Sequence, residues 1–250
     1  YVGDGDFVAV PVADLLDPAY LDARAGDRPA PETAPLAGDP GSVLRDEPMI
    51  DRWGRDATVE VAGTSHLSVI DGDGNAVSMT ASVEFVFGSQ RLASGFILNN
   101  ELTDFSSLPE LGGRPVANAV EPGKRPRSSM TPTLVFDADG DLVLATGSPG
   151  GNSIIAYTSK SILAILDGDM DVATGIALPN VVARGHPVSV ETERASDDFI
   201  EALRARGYPI DESDGENSGL HPILVTPEGL EGAADPRREG VATRVIANEG

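Results

Sequence analysis

Two hydroxyl side chains, Thr64 and Ser82, lie in the runs HLSVID and NAVSMTASV, or at their edges, on either side of a GDG turn. If Asp71 pairs with Asn75 across that turn, antiparallel counting brings Thr64 opposite Ser82. A hydroxyl becomes a useful nucleophile only when a base and a hydrogen-bonding partner attend it, and two hydroxyls meeting at a strand end meet part of that need. Alternation of side chains puts Thr64, His66 and Ser68 on one face and leaves Leu67 and Val69 for the opposite, buried one. Threonine is also an ordinary strand residue, so the pair has a purely structural reading as well.

Other groups could complete such a site. GSPGGN supplies backbone N–H groups in a glycine-permitted loop at a helix start, suited to an oxyanion or a carboxylate, although a plain tight turn has the same composition. KRPRSSMTPT sets Ser128 and Ser129 beside Lys124, Arg125 and Arg127, a plausible carboxylate grip, or basic residues that neutralise acidic neighbours. Glu101 and Asp104 in NNELTDFS, together with Glu84, form a possible anionic pocket for an ammonium group, or simple surface charge.

Elements must hold these groups in place. Residues 1 to 63 are rich in Pro, Asp, Ala and Arg, and read as an extended tail with one short helix near Pro11 to Ala25. From Thr64 the texture becomes strand, turn, strand, with a second hairpin in TPTLVFD and DLVLAT around ADG. GSPGGN then opens a helix over SIIAYTSKSILAILDGD, capped by Asn152 or Ser153, in which Ile154, Ile155, Ile162, Leu163, Ile165 and Leu166 suit burial. SDDFIEALRARGY predicts a second helix with Ser196 as N-cap, between the short strands VSVETE and HPILVT. Hairpins and helices in separate blocks indicate an α+β fold, an antiparallel sheet packed against helices.

The chain has 250 residues, enough for a full core. With 18 Lys+Arg against 40 Asp+Glu, a net charge of −22, it should repel phosphate backbones and anionic lipid, so no nucleic-acid partner is expected. No apolar run approaches the roughly 18 residues of a membrane span. The start YVGDGDFVAV lacks a signal peptide's features, so any export signal is expected upstream. The absence of cysteine excludes thiolate chemistry, and His66, His186 and His221 lack ligand spacing, so neither metal nor cofactor is expected.

The pieces occur together and in order. GTSHLSVIDGDGNAVSMT, GFILNNELTDFS, PGKRPRSSMTPTLVF and TGSPGGN resemble the small subunit of gamma-glutamyltranspeptidases, most strongly from Thr64 to about Leu166 and more weakly through DPRR near Asp235. YVGDGDFVAV and the loop after it are similar to the end of that family's large subunit. The resemblance implies an αββα sandwich of the N-terminal-nucleophile hydrolases, with residues 1–63 as the large-subunit tail and 64–250 as the catalytic small subunit. It implies that Thr64 cuts the chain after Gly63 and then attacks the substrate, its freed amine serving as base. By the same resemblance Ser82 hydrogen-bonds the nucleophile, Gly150 and Gly151 form the oxyanion hole, Ser128 and Ser129 hold the α-carboxylate, and Glu101 and Asp104 bind the α-ammonium. Glu84 stands where many members have asparagine, which bears on the acyl group accepted.

The implied activity is transfer or hydrolysis of γ-glutamyl groups from glutathione-like amides. The alternatives are an acylase of glutaryl-type amides, a poly-γ-glutamate depolymerase, or a non-catalytic subunit-interaction module. The rest of the large subunit is the implied partner, without which the chain is expected to be inactive, and the implied location is periplasmic or extracellular.

Overall fold

Pro18 and Pro40 each begin a helix behind an aspartate cap: Asp17 accepts from the Ala19 N–H and Asp39 from that of Ser42. Proline's preset φ suits the first helical turn, where its missing N–H costs nothing. The computed structural model, which describes residues 1–27, 30–58, 63–212 and 218–245, has three short α-helices and a 3-10 turn (Ile50–Arg52) in the stretch expected to hold one helix. The α-helices are α1 (Val12–Leu15), α2 (Pro18–Gly26) and α3 (Pro40–Arg45).

The first hairpin pairs β1 (Thr64–Ile70) with β2 (Ala76–Ser82) in the register counted from its turn, Thr64 opposite Ser82. Two small ribbons follow, β3 (Leu92–Ala93) with β4 (Phe96–Ile97) and β5 (Glu110–Leu111) with β6 (Arg114–Pro115). The second hairpin, β7 (Thr133–Phe136) and β8 (Leu142–Thr146), carries a register shift between Val135 and Phe136. Next come α4 (Ile154–Ile162), α5 (Val172–Ala177), β9 (Val181–Val182), β10 (Val188–Val190), α6 (Asp197–Ala205), β11 (Ile210–Asp211), β12 (Ile223–Thr226) and β13 (Gly229–Gly232). One sheet has the order β13-β12-β8-β7 and another β11-β10-β9. The fold is α+β and mostly antiparallel; β10 and β11 pair in parallel.

A serine side chain fastens the first hairpin to the sheet. Ser78 Oγ donates to the Thr146 carbonyl at 2.8 Å and accepts from the Thr133 N–H at 3.1 Å. This polar stitching decides which face turns inward and overturns the expected burial of Leu67 and Val69. Those two are 41% and 51% exposed, whereas Thr64 and His66 are each 7% exposed. The opposing Val77 and Met79 are exposed with them.

Helix α4 lies over the sheet, and Leu144, Ile165 and Val172 form one buried cluster while Tyr157, Ile176 and Leu220 form another. Ile154 and Ile165 are buried as expected, but Ile155 and Leu163 face solvent. The helix continues as a π-turn over Leu163–Asp167, which changes the periodicity that grouped those residues. Neither expected side-chain cap forms: Ser153 makes none, and Asn152 Oδ1 accepts from Ser129 Oγ at 3.4 Å. Ser196 does cap α6, accepting from the Phe199 N–H.

Beneath these elements the DPRR segment supplies a buried polar network. Arg237, 1% exposed in its side chain, pairs with Glu191 at 2.6 Å and Asp235 at 3.0 Å. It also donates to the carbonyls of Ile176 and Leu178, which end α5. Asp235 in turn accepts from Ser218 Oγ and the Leu220 N–H, so the loop before β12 is held to the same carboxylate. No helix among the described residues is long and apolar enough to cross a membrane.

Candidate active site

Thr64 is the first residue of β1, and its Oγ1 donates to Ser82 Oγ at 3.1 Å across the ladder. Ser82 is itself held, because its Oγ accepts from the Glu84 N–H at 2.8 Å. That second bond needs the sharp turn after β2, where Glu84 has φ 70, a conformation unusual for a residue with a side chain. Arg238 of the DPRR segment donates to the Thr64 carbonyl at 3.4 Å. His66, two positions along the same face, bonds to Thr80 Oγ1 through Nδ1 and to Ser68 Oγ through Nε2. Burial, with a smaller contribution from His221, pushes its pKa down to about 4, so it is a neutral, structural histidine beside the nucleophile candidate.

Thr64 and Ser82 line a small, solvent-open cleft. One wall is acidic, formed by Glu84 together with Glu101 and Asp104 of the turn after β4. Glu101 Oε1 is fully enclosed and has no hydrogen-bond partner, the one such buried side-chain atom among the described residues. Glu84 is buried too, with Thr103 Oγ1 3.5 Å from its carboxylate. Three carboxylates converging on one space favour a cation there.

Arg127, Ser128, Ser129 and Met130 line another part of the cleft. Of the three cations expected to help grip a carboxylate, two point elsewhere. Arg125 pairs with Asp4 and Asp6, both at 2.7 Å, and Lys124 lies against Glu121 and the Phe7 ring. Arg127 alone of the three reaches the cleft. The Ser128 Oγ accepts from the Met130 N–H at 3.1 Å, which curls the serine turn into shape.

Gly151 and Ile154 close the end of the cleft at the start of α4. Gly150 sits just behind as a buried residue with φ 136, and a side chain there would collide with the Tyr157 ring. Glycine alone suits that backbone. The turn is held from below, since Ser148 Oγ accepts from the Gly219 N–H at 3.0 Å.

Thus Thr64, Ser82, Glu84, Glu101, Asp104, Ser128, Ser129 and Gly151 share one cleft, with Gly150 adjoining it. Met130 and Ile154 were not anticipated as lining; Met130 directly follows the serine pair and Ile154 lies two residues beyond GSPGGN, the only signal available. Arg238 was not singled out as a site residue, although it lies in the DPRR segment through which the weaker resemblance runs.

A strand that opens on its hydroxyl, in an α+β frame with a glycine turn at a helix start beside it, is the arrangement of an N-terminal-nucleophile hydrolase. Within that class the sequence profile of gamma-glutamyltranspeptidase matches residues 1–245, and the chain belongs to the gamma-glutamyltranspeptidase family. The glutathione hydrolase proenzyme of Pseudomonas aeruginosa is 35% identical over 252 residues, covering 96% of this chain and 42% of its own length. That of Escherichia coli is 36% identical over 249 residues, covering 95% and 40%. An acylase ACY 1 proenzyme of Pseudomonas sp. (strain V22) is 32% identical, covering 97% and 40%. The chain therefore spans about two fifths of the length of these curated relatives.

Among solved structures, the gamma-glutamyltranspeptidase of Pseudomonas nitroreducens complexed with L-DON aligns with TM-score 0.64 and 34% identity, over 72% of this chain and 99% of that one. The cephalosporin acylase of Bacillus halodurans aligns with TM-score 0.76 and 25% identity, over 96% and 41%.

Proposed function

We propose that this chain carries the catalytic centre of a gamma-glutamyl transferase or hydrolase that acts on glutathione-like amides. The observation that carries the reading is Thr64 Oγ1, 3.1 Å from Ser82 at the start of its strand and inside the cleft. Thr64 first acts on its own chain. Its oxygen attacks the Gly63 carbonyl carbon, whose oxygen accepts from the Val83 N–H at 3.4 Å. The Gly63–Thr64 C–N bond breaks, the nitrogen takes a proton and becomes the free α-amine, and water hydrolyses the ester left behind. A side chain at residue 63 would collide with the Glu84 carbonyl oxygen, so glycine there lets the scissile bond lie flat against the turn. The amine, with a pKa of about 8, then accepts the hydroxyl proton when Thr64 attacks substrate.

The substrate's γ-carbonyl takes the place of the Gly63 carbonyl, and the N–H groups of Gly150 and Gly151 stabilise the tetrahedral oxyanion. The amine product leaves with a proton, and the acyl-Thr64 ester passes to water or to an amino-group acceptor. Ser128 and Ser129 hold the α-carboxylate, and Glu101, Asp104 and Glu84 the α-ammonium. The enclosed, unpartnered Glu101 oxygen supports that placement, because an ammonium would satisfy it.

Residues 1–63 form the large-subunit tail in this reading and 64–250 the catalytic small subunit. The rest of the large subunit covers the outer face of the first hairpin, as the exposed ladder of Leu67, Val69, Val77 and Met79 supports. The whole protein is assigned to the periplasm or the cell exterior on the resemblance alone.

The acylase relatives favour a second reading, in which the acyl group lacks an α-amine. Intact mass spectrometry of the full-length protein tests the main one: a smaller chain beginning at Thr64 supports it, and Thr64→Ala should give one uncut chain. Turnover of γ-glutamyl anilide well above glutaryl anilide separates it from the acylase; the reverse preference overturns the substrate assignment.

A further inference from the structure

Arg127 is engaged, in the uncut chain, by a carboxylate from the segment that precedes Thr64. Its Nε donates to Asp56 Oδ2 at 2.6 Å, and the two side chains are 17% and 27% exposed. Burial opposes ionisation of Asp56, but hydrogen bonds from Thr58 and Arg127 overcome it and hold the pKa below the ordinary carboxylate value. The contact is knitted in from both sides. Thr58 Oγ1 donates to Asp56 Oδ1 at 2.6 Å and approaches the Asp104 carbonyl at 3.2 Å. Asn118 Nδ2 donates to that same carbonyl at 2.7 Å and reaches Asp56 at 3.3 Å, while its Oδ1 accepts from the Arg127 N–H at 3.0 Å.

Asp56 therefore places an anion on the guanidinium of Arg127, the residue that leads into the serine turn. A zwitterionic amino-acid group would divide itself the same way, ammonium to Glu101 and Asp104, carboxylate to the serines and the guanidinium. We propose that Arg127 is a carboxylate-binding residue of the cleft and that Asp56 stands in for the substrate's α-carboxylate until the chain is cut. The inference rests on the γ-glutamyl reading above. Severing the bond before Thr64 frees one end of the segment, and a substrate carboxylate then competes for Arg127 on better terms.

The test uses the full-length protein in two states. In the uncut Thr64→Ala protein, calorimetric titration with L-glutamate should show about tenfold tighter binding when Asp56→Asn is added, and Arg127→Leu should abolish the gain. In the mature enzyme, Arg127→Leu should raise KM for γ-glutamyl anilide about tenfold with kcat within about twofold. It should leave KM for 4-aminobutanoyl anilide, which lacks the carboxylate, unchanged, and Arg127→Lys should restore most of the affinity for the γ-glutamyl substrate. Unaltered glutamate affinity in Asp56→Asn overturns the proposal, as does an equal change in KM for both anilides. Wild-type self-cleavage and turnover, measured alongside, judge the parent reading separately, and the calorimetric arm needs no catalysis.

Discussion

Thr64 Oγ1 and Ser82 Oγ stand 3.1 Å apart as direct partners of the β1–β2 ladder, and the Glu84 N–H fixes the serine from the other side at 2.8 Å. The nucleophile candidate is thus oriented by a side chain that has no freedom of its own. Ser82→Ala removes one acceptor from two donors, a loss of about 1 to 3 kcal/mol, so self-cleavage and turnover should each slow about 5- to 150-fold. Ser82→Thr keeps the hydroxyl and should stay within about threefold. Timed mass spectrometry and initial rates read both, and an undiminished Ser82→Ala would remove the serine from the site.

Glu101 offers a sharper check on the substrate. Its Oε1 is enclosed without a partner, so a neutral amide there would present donors where an ammonium is meant to sit. Glu101→Gln should raise KM for γ-glutamyl anilide about tenfold and leave glutaryl anilide unaffected. Equal effects on the two would mean that the ammonium lies elsewhere.

Arg237 tests the scaffold below the cleft. It neutralises Glu191 and Asp235 and ends α5 at once, with its side chain only 1% exposed. Arg237→Leu leaves buried Asp235 without its cation and Glu191 with Arg194 alone, 3.1 Å away, and should cost about 3 to 5 kcal/mol in denaturant unfolding. A loss below about 1 kcal/mol would show the network to be dispensable.

His66 makes a prediction in pH. Burial and then His221 push its pKa down to about 4 in the folded protein, against an ordinary value of 6.5. The unfolded chain binds the proton first as pH falls, so the stability contributed is complete above about 6.5 and is lost progressively as pH drops toward about 4. Asp235 acts in the same direction at lower pH: burial opposes its charge, but hydrogen bonds from Ser218 and the Leu220 N–H lower its pKa, so its contribution disappears below the ordinary carboxylate range. Urea unfolding at pH 7.5, 6 and 5 should show falling stability, and His66→Gln should flatten that part of the profile. The His66 ring resonances should not titrate between pH 8 and 5.

What could be read without coordinates was local. The GDG turn dictates the partner of every residue in the first hairpin, which is why Thr64 could be set against Ser82 by counting alone. Ser196 and the acidic residues after it announce α6 in the same way, and the ordered motifs lead to one family. Alternation shows which side chains share a face but not which face is covered. That choice belongs to Ser78, which bonds to strands 55 and 68 residues away and turns Leu67 and Val69 outward.

The three neighbouring cations divide for a similar reason. Arg125 finds Asp4 across 121 positions and Arg127 finds Asp56 across 71, so two arginines one residue apart, with the same charge, end in different places. Motif chemistry is written in short spans of chain. Which of those groups meet, and which are diverted to other partners, depends on contacts between distant segments that only the folded backbone brings together.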